Sequence, residues 1–423
     1  MTGYEQALAL LQTEAVQTRV QSLYSGAGEA LNKIESLVKT HQDAFHADGP
    51  VFVVSSPGRV ELIGNHTDHN RGLVLAAAIN LDIMAAVTPR DDGIVTVHSA
   101  GYQPIVVDLQ GLDPVAEEKE TSQALIRGVA AGMKQRGYSI RGFDAVMRSD
   151  VGTGSGLSSS AAFEVLICAV FDALYNGFHV NPVVRAQIAR DAENRFFMKP
   201  SGLMDQMASS LGGLVAIDFK DDEPQSETLR YSFLDAGYTI MVVNTGGSHE
   251  NLTYAYSAIP KEMREVARAL GGNDLRDIPY ERFLDDFPRA RQQAGDRAVL
   301  RALHFYQENA RVQEAVQALK AGDPERFLRL INASGMSSWT LLQNIQADPQ
   351  SQPMAVALGR AQSVLGGRGA VRVHGGGFAG TTLNFVPVEL ENAFTAAMEG
   401  LFGLGACQKL EIRQEGAVLP LNP

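Results

Sequence analysis

Between residues 4 and 46 the apolar positions Leu8, Leu10, Leu11, Val16, Val20 and Leu23, then Leu31, Ile34, Leu37 and Val38, recur near helical spacing. This predicts one or two amphipathic helices ahead of everything else. From Val51 the pattern changes to short apolar runs punctuated by Gly, Asp and Pro: 51-VFVVSS-56, 73-LVLAAAI-79, 83-IMAAVTP-89, 94-IVTVHSA-100 and 104-PIVVDL-109. These predict strands. A helix is expected at about 120 to 136 and a strand at 143-FDAVMRSD-150, followed by 151-VGTGSGLSSSAAFEVLICAVFDALYN-176, a glycine-rich loop that runs into a long apolar helix. The second half opens with a strand at 238-YTIMVVNT-245, passes through charged helices between about 251 and 366, and returns to strands at 370-AVRVHG-375 and 381-TTLNFVPV-388. Strands and helices that mix without strict alternation indicate an α+β fold. No internal repeat or low-complexity linker divides the chain, so the boundary near 220 to 235 is soft.

At 423 residues and 45% hydrophobic content the chain has material for two or possibly three domains. Its formal charge of −12 argues against nucleic-acid or anionic-membrane partners, which need clustered cations. Small molecules or other proteins are the expected partners. Cys168 and Cys407, both in apolar context, form neither a disulfide framework nor a metal-ligand spacing. No leader pattern or long apolar window is present, so a cytoplasmic protein is expected, and the sequons at Asn65, Asn251 and Asn332 then have no glycosylation meaning.

Three polar segments carry candidate chemistry. The first, 58-GRVELIGNHTDHNRG-72, collects Arg59, Glu61, Asn65, His66, Asp68 and His69 directly after an apolar run, more side-chain chemistry than a surface turn requires. The second is the glycine loop. Gly152, Gly154 and Gly156 let backbone amides approach an anion, the helix that follows offers a positive dipole end, and Ser158, Ser159 and Ser160 could cap that helix, bind phosphate or ligate magnesium. Taken alone, the loop reads equally as a tight turn and cap. A Walker loop is excluded because Leu157 stands where its Lys belongs, and a dinucleotide loop fits poorly because the spacing is G-x-G-x-G. The third segment, 191-DAENRFFMKPSGLMDQMASSLGG-213, places Glu193 at a helix end and Asp205 among apolar neighbours. A further run, 374-HGGGFAGTTLNF-385, reads either as a turn or bulge or as a loop beside a ligand.

Together the polar segments resemble the three motifs of the GHMP small-molecule kinases, and the first resembles the galactokinase signature in particular. The likeness extends from about 51 to 400. It implies a two-domain α+β fold with the active site in the interdomain cleft: an N-terminal helical extension over 1–48, an N-terminal kinase domain over 49–222 and a C-terminal kinase domain over 223–423. It implies an ATP-dependent sugar 1-kinase, with galactose as acceptor and galactose 1-phosphate and ADP as products. In that family Asp205 would accept the proton of the anomeric hydroxyl, with Arg59 beside it. Asn65, His66, Asp68, Gly202 and Tyr256 match sugar-contacting positions. Gly152, Gly154, Ser155, Gly156, Leu157, Ser158, Ser159 and Ser160 match the nucleotide loop, and Ser159 or Ser160 with Glu193 match the magnesium ligands. A monomer or weak homo-oligomer is expected.

The chain departs from the galactokinase pattern at Glu61 (usually Asn), Asn65 (usually Glu) and His69 (usually Tyr). An amide at 65 would weaken discrimination against a sugar acid, so galacturonate or another galacto-configured sugar is the alternative acceptor. A non-catalytic sugar sensor on the same fold is the alternative of a different class. Trp339 reads as core packing and His374 as a structural hydrogen bond.

Overall fold

The computed structural model describes residues 2–152, 156–199, 201–246, 253–346, 348, 350–378 and 380–422. Three helices, not one or two, open the chain: α1 (Gly3–Leu10), α2 (Glu14–Leu23) and α3 (Ala27–Phe45). The breaks follow from local chemistry. Thr2 and Thr13 each accept an amide of the first turn of α1 and α2, and α3 ends on His46 in the left-handed region. Every buried face of the three points the same way. Tyr4, Ala7, Leu11, Val20, Ala30, Ile34, Leu37 and Val38 share one core with Val51, Val53, Met84, Ala86 and Leu421. The extension therefore covers an apolar face of the first sheet.

That sheet has eight strands. β1 (Phe52–Ile63), β2 (Leu73–Pro89), β3 (Ile94–Ser99), β4 (Ile105–Asp108), β5 (Phe143–Ser149), β6 (Leu214–Asp218) and β7 (Gln225–Leu229) are joined by the last strand of the chain, β12 (Val418–Leu421). Their order is β12-β1-β2-β5-β3-β4, with β6 beside β2 and β7 beside β6, and β3 with β5 is the one parallel pair. The second sheet is β11-β8-β10-β9, all antiparallel, built from β8 (Tyr238–Asn244), β9 (Ala370–Val373), β10 (Thr381–Pro387) and β11 (Cys407–Leu410).

Two strands run longer than their apolar runs. The segment 58 to 63, expected as a polar stretch after a strand, is the continuation of β1: Pro57 and Gly58 form an irregularity in its pairing with β2, and not a turn. The runs at 73–79 and 83–89 fuse into the single strand β2 through 80-NLD-82. The boundary expected at 222 also differs. β7 lies in the first sheet and β12 returns to pair with β1, so the chain crosses between the lobes more than once.

Behind the first sheet pack α4 (Ser122–Gln135), α5 (Ser159–Tyr175) and α6 (Pro182–Ala192). The largest core cluster continues from Val165 and Phe171 of α5 through Ile240 and Val242 of β8 to Phe327 and Phe385. This cluster thus spans both lobes. No helix among the described residues is long and apolar enough to cross a membrane.

One buried group ties the extension to the sheet. Asp82 of β2 receives Lys33 at 2.7 Å, Tyr24 at 2.5 Å, Ser55 at 2.5 Å and Arg413 at 3.1 Å. Asp82→Ala leaves Arg413 without a carboxylate and Lys33 with Asp150 alone, and is expected to destabilise the fold by about 3–5 kcal/mol, measured by denaturant unfolding; Asp82→Asn should lose less.

Candidate functional site

The end of β1, the start of α5 and α7 (Met204–Leu211) meet at one point. Arg59 on β1 grips Asp205 in the first turn of α7 with two parallel bonds, Nε to Oδ1 and Nη2 to Oδ2, each 2.7 Å. Its third nitrogen, Nη1, donates to Gly156 O at 2.6 Å. Ser158 Oγ donates to Asp205 Oδ2 in a short contact. Burial pushes the Asp205 carboxyl upward, but Arg59 and Ser158 outweigh it and hold the group below the usual carboxylate range. Asp205 therefore stands ionised, and its side chain is 30% exposed toward the cleft.

Of the glycine loop, Thr153, Gly154 and Ser155 lie outside the described residues. The remainder is clamped to β1. Arg59 N–H donates to Leu157 O at 3.2 Å, and a Cβ on Gly58 would sit 2.9 Å from that same oxygen. Gly156 adopts φ +74°, where a Cβ would meet Thr381 Oγ1 at 2.8 Å. Ser158 precedes α5 in the left-handed region and gives its hydroxyl to Asp205, so α5 opens with no side-chain cap and no acidic residue in its first turn. Uncapped amides at a positive dipole end make a binding place for an anion.

Beside it, α6 ends in a π-helical turn, Glu193–Phe197. Glu193 is buried: Oε1 accepts from Ser160 Oγ at 3.3 Å and from Lys199 Nζ at 3.1 Å, and Oε2 accepts from Gln206 Nε2 at 3.0 Å. Gln206 also reaches Glu164 Oε2 at 3.1 Å, and burial together with the charge on Glu193 raises the Glu164 carboxyl well above its ordinary value. Ser159 shares the first turn of α5 with Ser160. Lys199, Gln206 and Glu164 were not singled out in the sequence. Gln206 stood within the MDQ turn, whereas the other two carried no local signal.

Past β1 the chain forms the turn that holds His66 and Asp68. His66 has φ +60°, and its Nε2 lies 2.9 Å from Gly376 O. A carbonyl only accepts, so Nε2 carries the proton and Nδ1 is left as an acceptor. Burial and the adjacent His69 push the imidazole down to about 3, so His66 is neutral. Asp68 Oδ1 accepts the His69 amide at 3.0 Å. Gly202 lies against Asp68 so closely that a Cβ there would fall 2.0 Å from Oδ2 and push that carboxylate aside. Tyr256, on α8 (Thr253–Ala269), donates to Gly377 O at 2.6 Å and packs edge-on to Phe378.

Asn65 does not do what its position in the sequence suggested. It is fully buried, with Nδ2 donating to Glu61 Oε1 at 3.1 Å and Gly375 O at 2.7 Å, and Oδ1 accepting from Asn344 Nδ2 at 2.8 Å and Ser338 Oγ at 3.2 Å. Its amide is spent inside the protein and presents nothing to a ligand, which corrects the expectation of a sugar contact and removes the specificity argument built on it. Glu61 is likewise enclosed, paired with Arg372 at 2.8 Å. His374 is structural as expected, set between Thr381 Oγ1 at 3.0 Å and the Glu61 amide at 3.3 Å. Trp339 packs, partly buried, on the core of the second lobe.

Among the described residues no group of three or more His, Cys, Asp or Glu could hold a metal. The oxygen pair Ser160 Oγ and Glu193 Oε1 is the set that suits a hard cation sharing its coordination with phosphate and water.

Comparison with known proteins finds one family by sequence and one fold by structure. Residues 39–89 match the galactokinase galactose-binding signature and residues 124–213 the GHMP kinase N-terminal domain. The galactokinase of Glaesserella parasuis is 34% identical over 349 residues, covering 79% of this chain and 85% of that one. That of Streptomyces coelicolor is 31% identical over 358 residues, covering 84% and 89%. Lactococcus lactis galactokinase, solved with galactose, superposes with a TM-score of 0.79 at 24% identity over 91% of this chain and 99% of that one.

Replacing Arg59 by Met takes the cation away from Asp205, so the Asp205 carboxyl should titrate higher than in the unaltered protein. Carbon-13 NMR of the labelled side chain measures this.

Proposed function

The chain belongs to the galactokinase family of GHMP kinases, and from its site we propose that it transfers the γ-phosphoryl group of ATP to the anomeric hydroxyl of galactose. The observation that supports this reading most is the bidentate Arg59–Asp205 pair lying between the uncapped start of α5 and the His66–Asp68 turn. A phosphate at the helix start and a sugar at the turn would then have Asp205 between them.

In this reading the sugar stands against Asp68, Gly202, His66 and Tyr256. Asp68 accepts from two neighbouring hydroxyls, His66 Nδ1 accepts from one more, and Gly202 keeps the wall thin enough for the ring to reach Asp68. Asp205 accepts a hydrogen bond from the anomeric hydroxyl, aims its oxygen at the γ-phosphorus and takes up the proton. Its lowered basicity is no obstacle, because the transition state is loose and asks for positioning more than for a strong base. The described loop residues Gly152 and Gly156 to Ser160 face the phosphates through backbone amides and hydroxyls, and Arg59 offsets charge on the transferring group. Magnesium would be held by Ser160 and Glu193, with Ser159 adjacent. When bound, it would offset the negative charge of the phosphates beside Ser160 and Glu193.

A uronic acid in this pocket would bring its carboxylate beside Asp68 and Asp205, which disfavours it relative to the neutral hexose. An intact loop start and an ionised Asp205 support an enzyme over a sensor.

ADP release with ATP, magnesium and galactose is the test. Turnover should be fast on galactose and far slower on galacturonate. Asp205→Asn should cut kcat by about 10²–10⁴-fold while galactose still binds. Binding without ADP release in the unaltered protein would assign a sensor. Because His66 stays neutral above its lowered value of about 3, the galactose dissociation constant should be flat from pH 5 to 8 by calorimetry; an inflection near 6.5 would show a titrating imidazole in the pocket.

A further inference from the structure

Lys199 follows the π-helical turn, and its amide donates to Glu193 O at 3.2 Å, so the turn sets where the side chain starts. The ammonium lies 3.1 Å from Glu193 Oε1, the same oxygen that Ser160 Oγ approaches. The two partners differ in freedom: the Glu193 side chain is 3% exposed and also held by Gln206, whereas the Lys199 side chain is 59% exposed. The other cation of the site cannot move in this way. Arg59 uses all three of its nitrogens, two on Asp205 and one on Gly156 O. Lys199 is thus a mobile positive charge beside the start of α5, resting on the oxygen a divalent cation would use.

We propose that Lys199 is a phosphate ligand that changes partners during the cycle. Without nucleotide it neutralises buried Glu193. When the terminal phosphates settle at Ser160, the ammonium leaves Glu193 Oε1 for phosphate oxygens, and that carboxylate oxygen becomes open to magnesium. A long flexible stem with three rotatable donors suits such an exchange, where the planar fork of Arg59 suits a fixed clamp. Charge is conserved throughout: one ammonium moves from carboxylate to phosphate as the divalent cation takes its place. This inference rests on the reading that Ser160 and Glu193 face the phosphates of ATP.

The test is calorimetric binding of ADP to the full-length protein in EDTA, so that no metal contributes. Lys199→Met should weaken ADP about tenfold or more, and Lys199→Arg should stay within about threefold of the unaltered protein. The difference between Lys199→Met and the unaltered protein should shrink as salt is raised. With magnesium present, KM for ATP should rise in Lys199→Met while KM for galactose holds. Lys199→Met leaves the buried Glu193 carboxylate to Ser160 and Gln206 alone, so its melting temperature is expected to fall; ADP affinity is therefore measured well below that temperature, which separates lost binding from lost folding. Equal ADP affinity in Lys199→Met and the unaltered protein would overturn the proposal. Asp205→Asn serves as the control for the underlying reading: if it phosphorylates galactose at full rate, the site assignment fails, whereas an inactive Asp205→Asn with Lys199→Met binding ADP normally rejects the role of Lys199 alone.

Discussion

The bidentate contact between Arg59 and Asp205 is the constraint around which the cleft is arranged. Removing both charges from water is costly, and such a pair persists only where geometry is good and the remaining donors are used. Here they are. Arg59 extends its third nitrogen to Gly156 O and its own amide to Leu157 O, so a single residue on β1 fixes α7 and the anion loop relative to one another. The same pair keeps the Asp205 carboxyl below the usual carboxylate range against the upward push of burial. A rigid clamp of this kind positions a nucleophile, which is what phosphoryl transfer requires most.

Opposite this clamp, the second lobe contributes a loop whose backbone is held from both lobes. Three successive carbonyls, Gly375, Gly376 and Gly377, accept from Asn65, His66 and Tyr256. A Cβ on Gly376 would strike the Tyr256 ring at 2.3 Å, and one on Gly377 would strike Asn344 O at 2.2 Å. The glycines are there for close approach. Holding His66 by Nε2 also selects its tautomer, so the pocket gains an acceptor at Nδ1 without gaining a charge. One core cluster runs from the first lobe into the second beneath this loop and clamp.

The α5 helix and the apolar neighbours of Asp205 were legible because each is a local pattern, 3.6-residue periodicity in one and a short motif in the other. What escaped reading depended on partners remote in sequence. Pro57 and Gly58 look like a turn, yet the pairing of β1 with β2 carries the strand through them. The polar 80-NLD-82 looks like a break, yet Asp82 is buried because Lys33 and Arg413 come to it from the two ends of the chain. Asn65 was read as a ligand because it matches a sugar-contacting position of the galactokinase signature, but Glu61, Ser338 and Asn344 enclose it. Relative to the galactokinase signature, acid and amide have traded places at 61 and 65, and they still bond to each other. Lys199 carries no pattern at all; only the fold puts it on Glu193.

The return of β12 to β1 has a consequence for biogenesis. On the ribosome the outer edge of β1 stays open until residues 418 to 421 have been made, long after the rest of its sheet exists, and an open strand edge invites pairing with another nascent chain. The three opening helices, translated first and seated partly on Leu421, shield the neighbouring apolar face during that interval. Shortened products of this gene would therefore be expected to clump before they could ever bind a sugar.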